Sequence, residues 1–365
     1  MVVFQEQVPR VAMGMGGFSA GEADMLRRAM SRHRSQQAVD AFRGRFLRGA
    51  REQGVPRAVA EKVFDQLAGF ASYGFCKSHA VAFAKTTYDT LYLRAHYPAA
   101  YYCAVLNNQP MGFYPPRVIV GDAQRHGVEV RSVHVNASDI ECCLEGEAIR
   151  LGFLYVDGLG EAGAEHIVEA REERAYDGLG DFWRRTRLPR PAVENLILAG
   201  AMDHWEGDRR RLLWQLGRLR PQEGTLPLSV PCENAPLAPM GPDEALLREY
   251  GATGVAAGDH LMTLFRSQVG ERGAVTSQAL REMESGSRLR VAGMVSARQA
   301  PPTAKGFVFL TLEDEWGLVD VIVAPDLYQA QRAVWRDGVI LLVQGRLQRA
   351  NGHMSVRAER GWRVK

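Results

Sequence analysis

The sequence predicts an α+β protein of several domains. Most of the chain is predicted to be helical, and the C-terminal part is predicted to form a small β-barrel. In the first part, apolar residues recur at helical spacing, and glycine or proline interrupts them. From about residue 285, five β-rich runs follow one another, with one helical segment between the third and the fourth. At 365 residues, the chain is long enough for about two to four domains that each bury a core.

The composition favours an ordinary globular protein. Hydrophobic residues make up 46% and charged residues 24%, and the net charge of +3 is only mildly basic. No apolar run approaches the roughly 20 residues of a membrane span, and the first residues lack the apolar segment of a signal peptide. The five cysteines form no CxxC pair, so the sequence predicts a reducing cytoplasm and no zinc site, and the lack of a long apolar run predicts no membrane partner.

The segment 64–108 organises the N-terminal part. Apolar spacing predicts one helix that ends near Gly69 and a second helix, marked by apolar residues from Ala80 to Ala95, that runs to a stop at Tyr97-Pro98. Ser78 is expected to cap the second helix, with Lys77 and His79 beside it. A helix start with free N–H groups and an adjacent lysine suits a phosphate. The alternative is that Ser78 only caps the helix and that its two neighbours are ordinary surface residues.

A basic helix is predicted before this segment. Ser19 and Glu22 have the spacing of a capping box. Arg27 and Arg28 follow, and Asp40 is the sole acidic residue from there to position 51. Guanidinium groups bind phosphate in a bidentate fork, which suits a triphosphate or a nucleic-acid backbone. The alternative is a solvated helix face, as most charged runs are.

Two runs in this part resemble a known family. Tyr73-Gly-Phe-Cys-Lys-Ser-His79 and the run 88–98 closely resemble the fingers domain of bacterial C-family DNA polymerases, the DNA polymerase III alpha-subunit family. Cys76 stands where that family more often has asparagine. The runs 106–114 and 127–130 are most similar to the error-prone, damage-tolerant branch, and the resemblance extends over essentially the whole chain.

The resemblance implies roles and partners. It assigns Arg27 and Arg28 to the incoming deoxynucleoside triphosphate, and it places Lys77, Ser78 and His79 near the same triphosphate or the primer-template DNA. In the family, Mg²⁺ is held by carboxylates of a palm domain upstream of the matched region. The acids at 22, 24 and 313–315 lie in no strand-borne Asp-x-Asp pattern. The expectation is therefore a C-terminal part of a polymerase, without catalytic or metal-binding residues and inactive by itself.

The middle of the chain contains two candidate hairpins. Val156 to Ile167 has the form of a helix-hairpin-helix turn, in which Gly158 and Gly160 let the backbone approach a phosphate. A second candidate, the run 188–202, is followed by three arginines at 209–211. In the family, such hairpins bind duplex product. The proline-rich run 221–242 predicts a semi-rigid linker, and Gln222 to Leu228 is a poor match to the peptide that docks on a sliding clamp.

The C-terminal runs have the order β-β-β-α-β-β, which is the plan of an OB-fold barrel. Val308, Leu310 and Leu312 are expected to fill the barrel, and the opposite face carries Phe307 and Phe309. These phenylalanines are expected to stack on the bases of single-stranded template DNA, or alternatively to pack under a loop. A basic rim is predicted from four side chains: Arg298, Lys305, Arg346 and Arg349.

The predicted organisation has four parts: a partial fingers domain at 1–148, a tandem helix-hairpin-helix region at 149–216, a linker with a short helical segment at 217–284 and an OB domain at 285–365. The predicted activity is template-directed DNA synthesis by the parent polymerase. Two alternatives remain open. One is a non-catalytic DNA-binding module, and the other is a partner-binding scaffold, which would leave the basic helix and both hairpins unexplained.

Overall fold

The computed structural model describes residue 4 and residues 6–31, 39–70, 76–219, 236–350 and 352–364. The chain divides into two compact units, Met1–Tyr92 and Leu93–Lys365. Several predictions lie outside the described residues: the first part of the Tyr73–His79 run, most of the proline-rich linker and the whole of the clamp-peptide candidate. None of the helices within the described ranges is long and apolar enough to cross a membrane.

The first unit is helical, as predicted. Its helices are α1 (Gln7–Gly16), α2 (Ala20–Ser31), α3 (Arg43–Glu52), α4 (Arg57–Phe70) and most of α5 (Lys77–His96). Phe46, Phe64 and Leu67 are fully buried in its core. Helices α1 and α3 approach closely, because a Cβ on Gly49 would lie 1.7 Å from the carbonyl oxygen of Gly16. The capping box at the start of α2 is confirmed, with Ser19 N–H donating to Glu22 at 2.7 Å.

The start of α5 differs from the prediction. The N–H of Ala80 donates to the carbonyl oxygen of Cys76 at 2.9 Å, so Cys76 is the N-cap and Ser78 lies within the first turn. The prediction that Ser78 caps this helix is wrong. The first-turn N–H of Lys77 is instead satisfied by the carboxylate of Glu6, which is 71 residues away in the sequence. Sequence spacing alone cannot indicate so distant a partner.

The second unit begins with a helical part built around one large core. Its helices are α6 (Pro98–Asn107), α7 (Pro116–Arg125), α8 (Gly160–Glu173), α9 (Leu179–Thr186), α10 (Arg190–Leu198), α11 (Arg209–Arg218) and α12 (Pro242–Thr253). A small sheet has the order β1-β3-β2, from β1 (Val130–Arg131), β2 (Cys143–Glu145) and β3 (Ala148–Arg150). The core continues from Ala99 to Ala257. The predicted boundary between residues 148 and 149 therefore lies inside β3, where both residues are buried.

The C-terminal part is a closed five-stranded barrel, as predicted. Helix α13 (Arg266–Glu271) and the short β4 (Ala274–Val275) lead into β5 (Arg288–Gln299), β6 (Val308–Asp314), β7 (Gly317–Val323), β8 (Ile340–Ala350) and β9 (His353–Arg363). Helices α14 (Pro325–Ala330) and α15 (Arg332–Asp337) lie between β7 and β8. The sheet has the order β4-β5-β6-β7-β9-β8, and pairing of β5 with β8 closes it. Val308, Leu310 and Leu312 point into the core, which confirms their predicted face.

His134 should make the second unit less stable in acid. Its ring stacks on His204 with centroids 4.1 Å apart, and burial followed by the charge of His204 lowers the pKa of His134 to about 4. The unfolded chain binds the additional proton from about pH 6.5 downward, whereas the folded chain does not. The contribution of His134 to the free energy of unfolding is therefore complete above pH 6.5 and is lost as the pH falls towards 4. The measurement is urea unfolding across this range.

His134→Asn should flatten this part of the pH profile. Asparagine does not titrate and keeps an acceptor for the N–H of Asn136, which donates to His134 Nδ1 at 3.1 Å. The matched control is His166→Asn, which replaces an exposed histidine of α8. An identical slope in wild type and His134→Asn would mean that other groups cause the acid sensitivity.

Candidate nucleic-acid interface

The first hairpin turn has the backbone that the sequence predicts. A 3₁₀ turn at Phe153–Tyr155 leads to Gly158 and Gly160, which have φ of 71° and 68°, and α8 begins at the second glycine. The turn is held from both sides, because Asn195 donates to the carbonyl oxygen of Asp157 at 2.8 Å and the N–H of Asp157 donates to α12. A Cβ on Gly160 would meet nothing within 4 Å. The left-handed backbone therefore explains this glycine, and the uncrowded side leaves room for a phosphodiester.

The second hairpin differs in its arginines. Gly200 has a φ of 81° and ends the turn after α10, as the pattern indicates. Arg209, however, is only 11% exposed, and it binds the carbonyl oxygen of Leu198 at 2.8 Å and the carboxylate of Asp203. It therefore joins neighbouring elements of the helical part. Arg211 is more accessible, at 47% exposure, and pairs with Glu206 at 3.3 Å. Spacing predicted a basic run but could not separate packed arginines from exposed ones.

The outer face of the barrel carries apolar side chains. Phe309 on β6 is 36% exposed and pairs in register with Ile322 of β7, whereas Phe307 lies before the strand and is half-buried. Trp316, in the turn between β6 and β7, and Leu318, on β7, are also exposed, and the sequence-based prediction included neither of them. Alternation along β7, with Leu318 outside and Val319 inside, could have indicated the second of them.

A groove lies beside Leu318 on this side of the barrel. It has a volume of about 340 Å³ and is lined by Thr311, Asp320 and His353, among others. Thr311 donates to Asp320 at 2.9 Å, and a nitrogen of the His353 ring lies 3.0 Å from the same carboxylate. A carboxylate repels phosphates, so the apolar side chains beside the groove are better suited to contact bases than the groove floor is to contact the backbone.

The four predicted rim cations fall into different environments. Arg298 donates to the carbonyl oxygens of Trp335, at 3.0 Å, and Gly338, and burial lowers the pKa of Arg298. Arg349 donates to the carbonyl oxygens of Leu280 and Met283 at 2.9 and 3.1 Å. These two arginines therefore have a structural role that the sequence did not predict.

The other two rim cations are more accessible. Arg346 is 59% exposed and pairs with Glu359 at 3.1 Å, and Lys305 is exposed in the loop before β6. Arg346 is bound within the barrel, yet most of its side chain still faces solvent. Contact of all four with DNA stays a prediction, and the surroundings of Lys305 and Arg346 suit it better than those of the two structural arginines.

The predicted nucleotide residues form two groups in the first unit. Arg27 and Arg28 converge on Asp24, with Nε–O distances of 2.9 and 2.7 Å, and the Arg28 side chain is 70% exposed. Hydrogen bonding to Arg27 is the largest cause that lowers the pKa of Asp24. The other group comprises Lys77, Ser78 and His79 at the start of α5, where all three are exposed. Their contact with a triphosphate stays a prediction.

The start of α5 already binds a carboxylate. The backbone N–H of Lys77 donates to both carboxylate oxygens of Glu6, at 3.0 and 3.1 Å, and this contact is the main cause that lowers the pKa of Glu6. The Sγ of Cys76 lies 3.4 Å from the same carboxylate and 2.9 Å from Ser78 Oγ. A helix start favours an anion, and in this structure the anion is the carboxylate of Glu6.

Metal ligands are not brought together in the part of the chain that the structure describes, where no group of three or more His, Cys, Asp or Glu side chains could hold an ion. The acids considered from the sequence are engaged elsewhere. Asp24 binds arginines, Glu313 binds Arg117 and Glu315 binds Arg266. The described residues therefore do not fit a Mg²⁺ site.

Three family models match separate parts of the chain. The bacterial DNA polymerase III alpha subunit finger domain matches residues 1–54, a helix-hairpin-helix motif matches residues 127–212, and an OB-fold nucleic acid binding domain matches residues 289–362. The second match contains Gly158, Gly160 and Gly200, and the third contains all of the barrel strands except the first residue of β5 and the last of β9. Together with the geometry above, these matches define a multidomain protein with nucleic-acid-binding modules.

Several bacterial proteins are similar in sequence to nearly the whole chain. An error-prone DNA polymerase of Corynebacterium glutamicum is 41% identical over 98% of this chain, and those of Anaeromyxobacter dehalogenans and Methylococcus capsulatus are 38% and 36% identical over the same share. The chain belongs to the bacterial DNA polymerase III alpha-subunit family, among relatives named error-prone DNA polymerases. It spans about a third of their length, between 33% and 36%.

Proposed function

We propose that this chain provides the incoming-nucleotide and DNA contacts of an error-prone, damage-tolerant bacterial DNA polymerase, as the C-terminal part of that enzyme. The observation that carries the proposal is the match to error-prone DNA polymerases over 98% of the chain, together with the helix-hairpin-helix turn and the OB barrel. In the proposed reaction, a primer 3′-hydroxyl attacks the α-phosphorus of a deoxynucleoside triphosphate, so that a phosphodiester bond forms, the α–β anhydride bond breaks, and pyrophosphate and the hydroxyl proton are released. Mg²⁺, held by a palm domain elsewhere in the enzyme, would stabilise the charge of the transferring group. A cytoplasmic setting is part of the proposal, and the unpaired thiols of four cysteines (Cys76, Cys103, Cys142 and Cys143) support it.

The two DNA-binding modules are proposed to hold different forms of DNA. The turn at Gly158 and Gly160 presents backbone donors, which contact phosphates without reading sequence, so it suits the duplex product. The apolar face around Phe309 suits unpaired bases, because only these expose their ring faces. The proposed partners are thus primer-template DNA and its single-stranded template. Both interactions should weaken as salt rises, since every neutralised phosphate releases condensed counterions.

Phe309→Ala should weaken binding of single-stranded DNA selectively. Stacking of one base on an aromatic side chain contributes roughly 1–3 kcal/mol, so the Kd should rise about 5- to 150-fold. The Kd for duplex should stay nearly constant because the hairpin turn is untouched. Fluorescence anisotropy at fixed salt, on single-stranded and duplex oligonucleotides, measures both constants in the full chain.

Two further variants serve as controls for this experiment. Leu144→Ala removes an apolar side chain that is 47% exposed in the helical part, and it should change neither constant. Phe307→Ala should have less effect than Phe309→Ala, because Phe307 is half-buried before the strand. If Phe309→Ala lowers only the thermal stability and leaves both constants unchanged, then Phe309 packs within the fold and stacking is excluded.

Arg28→Ala should impair use of the nucleotide. The test enzyme is the Corynebacterium glutamicum polymerase with its matching third replaced by this chain, which should extend a primer, while the isolated chain should not. A charge-assisted contact contributes roughly 1.5–3 kcal/mol, so kcat/KM for the nucleotide should fall about 10- to 150-fold with DNA affinity nearly intact. Steady-state primer extension over a range of nucleotide concentrations measures it.

Arg57 provides the matched control in the same unit. It is an arginine with an 84% exposed side chain that pairs with Glu61 on α4, and Arg57→Ala should leave the kinetics unchanged. If neither Arg27→Ala nor Arg28→Ala changes kcat/KM for the nucleotide, these two arginines belong to an ordinary solvated helix face. If the chimeric polymerase, which carries this chain in place of its matching third, binds DNA but does not extend a primer, the result favours the alternative of a non-catalytic DNA-binding module.

A further inference from the structure

One buried carboxylate joins the helical part of the second unit to the barrel. Glu313, near the end of β6, has no solvent exposure. Arg117 Nη1 lies 2.7 Å from its Oε2, and Arg125 Nη1 lies 3.4 Å from its Oε1. Both arginines come from α7, and their side chains are only 12% and 18% exposed. Two cations of one helix therefore bind the two oxygens of a single carboxylate of the barrel.

The contact includes the barrel backbone. Arg117 Nη2 donates to the carbonyl oxygen of Val295 at 2.7 Å, and its Nη1 lies 3.3 Å from Ser296 Oγ. A Cβ on Gly121 would lie 3.0 Å from Glu313 Oε1, so the absence of a side chain there lets α7 approach the carboxylate. The barrel is thus bound to α7 by contacts in fixed directions and not merely tethered to it by the connecting segment.

The energetics of such a cluster favour one orientation. An exposed ion pair contributes little, because water replaces it at almost no cost. A buried carboxylate that loses its partners remains as an uncompensated charge, which is strongly destabilising. Any rotation of the barrel away from α7 would break the contacts of Glu313 with the guanidinium groups of Arg117 and Arg125. The planar guanidinium of Arg117 also restricts the angle from which the barrel can be contacted.

We propose that Glu313, together with Arg117 and Arg125, is a positioning residue that locks the OB barrel onto α7. The duplex-binding turn at Gly158 and Gly160 and the single-strand face around Phe309 are then held at one fixed spacing. This inference rests on the proposed function, in which both surfaces bind DNA. A rigid link between two binding sites makes affinity depend sharply on the distance between the two parts of a ligand, whereas a flexible link gives a broad dependence.

The experiment uses the full chain and partial duplexes, in which a polyethylene-glycol spacer of increasing length separates the duplex from the single strand. Wild type should show an optimum spacer length, with binding about 10-fold or more tighter than to either part alone. Glu313→Gln and Arg117→Met, which release the lock from its two sides, should flatten this optimum. Their Kd values for duplex alone and single strand alone should stay within about 2-fold of wild type. A merely structural role would change those two constants together and leave the optimum length in place.

Asp181 is the matched control. It is a carboxylate with 9% side-chain exposure that binds three arginines within the helical part, at positions 174, 184 and 185. Asp181→Asn therefore disturbs a comparable cluster without touching the barrel, and its spacer profile should match wild type. If Glu313→Gln and Arg117→Met also keep the wild-type profile, or if wild type binds both parts without an optimum, the lock is refuted and the proposed function stands. Failure of wild type to bind either part refutes the proposed function itself.

A distance measurement on the wild-type background tests the lock directly. His166 on α8 and Gln329 on α14 are exposed, so non-cysteine spin labels at these positions report the spacing between the helical part and the barrel. A narrow distance distribution by pulsed electron paramagnetic resonance supports the lock. A distribution as broad as that of a flexible tether overturns it, whatever the variants do.

Discussion

Trp335→Ala should destabilise the barrel by about 3–5 kcal/mol, the cost of removing a large aromatic side chain from a core. Trp335 is fully buried on α15 and packs against the backbone of β9, where a Cβ on Gly361 would lie 2.3 Å from a ring carbon. Its removal leaves a cavity between α15 and β9 that rigid strands cannot close. The free energy of unfolding, from urea titration followed by circular dichroism, measures the loss.

Three other variants complete this test. Gly361→Val forces a side chain into the same contact from the opposite side, and it should also destabilise the barrel through overpacking. Trp335→Phe should cost less than Trp335→Ala, because it fills most of the volume and removes an indole N–H that is buried without a hydrogen-bond partner. Trp214→Ala, at a tryptophan that is 47% exposed, should stay within about 0.5 kcal/mol of wild type. A similarly small change for Trp335→Ala would show that the barrel does not depend on this side chain.

Gly160→Val should abolish most of the duplex affinity. The backbone at Gly160 has a φ of 68°, which a β-branched residue adopts only with strain of roughly 1–3 kcal/mol. Steric crowding does not cause this strain, since a Cβ on residue 160 would meet nothing within 4 Å. In the variant, the strained backbone should point its N–H groups away from the phosphate. The loss of one charge-assisted contact should then raise the Kd for duplex DNA about 10- to 150-fold. Duplex binding by fluorescence anisotropy at fixed salt measures it, and binding of single strands should stay constant.

Two variants at the same turn separate backbone conformation from charge. Gly160→Asn should retain most of the affinity, because asparagine tolerates the left-handed region. Glu161→Gln should bind duplex more tightly than wild type, since it removes an exposed negative charge from the first turn of α8. Wild-type duplex affinity in a correctly folded Gly160→Val would mean that the turn is structural and that duplex binds elsewhere.

Local patterns predicted the elements well. The period of two along β6 predicted which face fills the barrel, because neighbouring side chains of a strand must point to opposite sides. The glycines at 158 and 160 predicted the hairpin turn, since their left-handed backbone conformation is a property of single residues. The capping box of Ser19 and Glu22 spans three residues and was equally predictable.

Partners distant in the sequence were not predictable. The sequence predicts Ser78 as the helix cap, whereas the carboxylate of Glu6 satisfies the helix start from 71 residues away. The sequence predicts Arg298 and Arg349 in a DNA-binding rim, yet both bind backbone carbonyl oxygens that are 37 or more residues away. A basic side chain has the same sequence signature whether it faces solvent or fills a gap between elements.

The helices, the glycine turns, the barrel topology and the family resemblance can all be predicted from the sequence, because each depends on periodicity or on motifs within a short window. Which cations remain exposed to solvent, and which carboxylate joins the barrel to the helical part, depends on contacts that form when the chain has folded. Glu313 and Arg117 are 196 residues apart, and nothing near either one indicates the other. Burial removes water from both and makes their pairing obligatory, and burial is a property of the assembled fold.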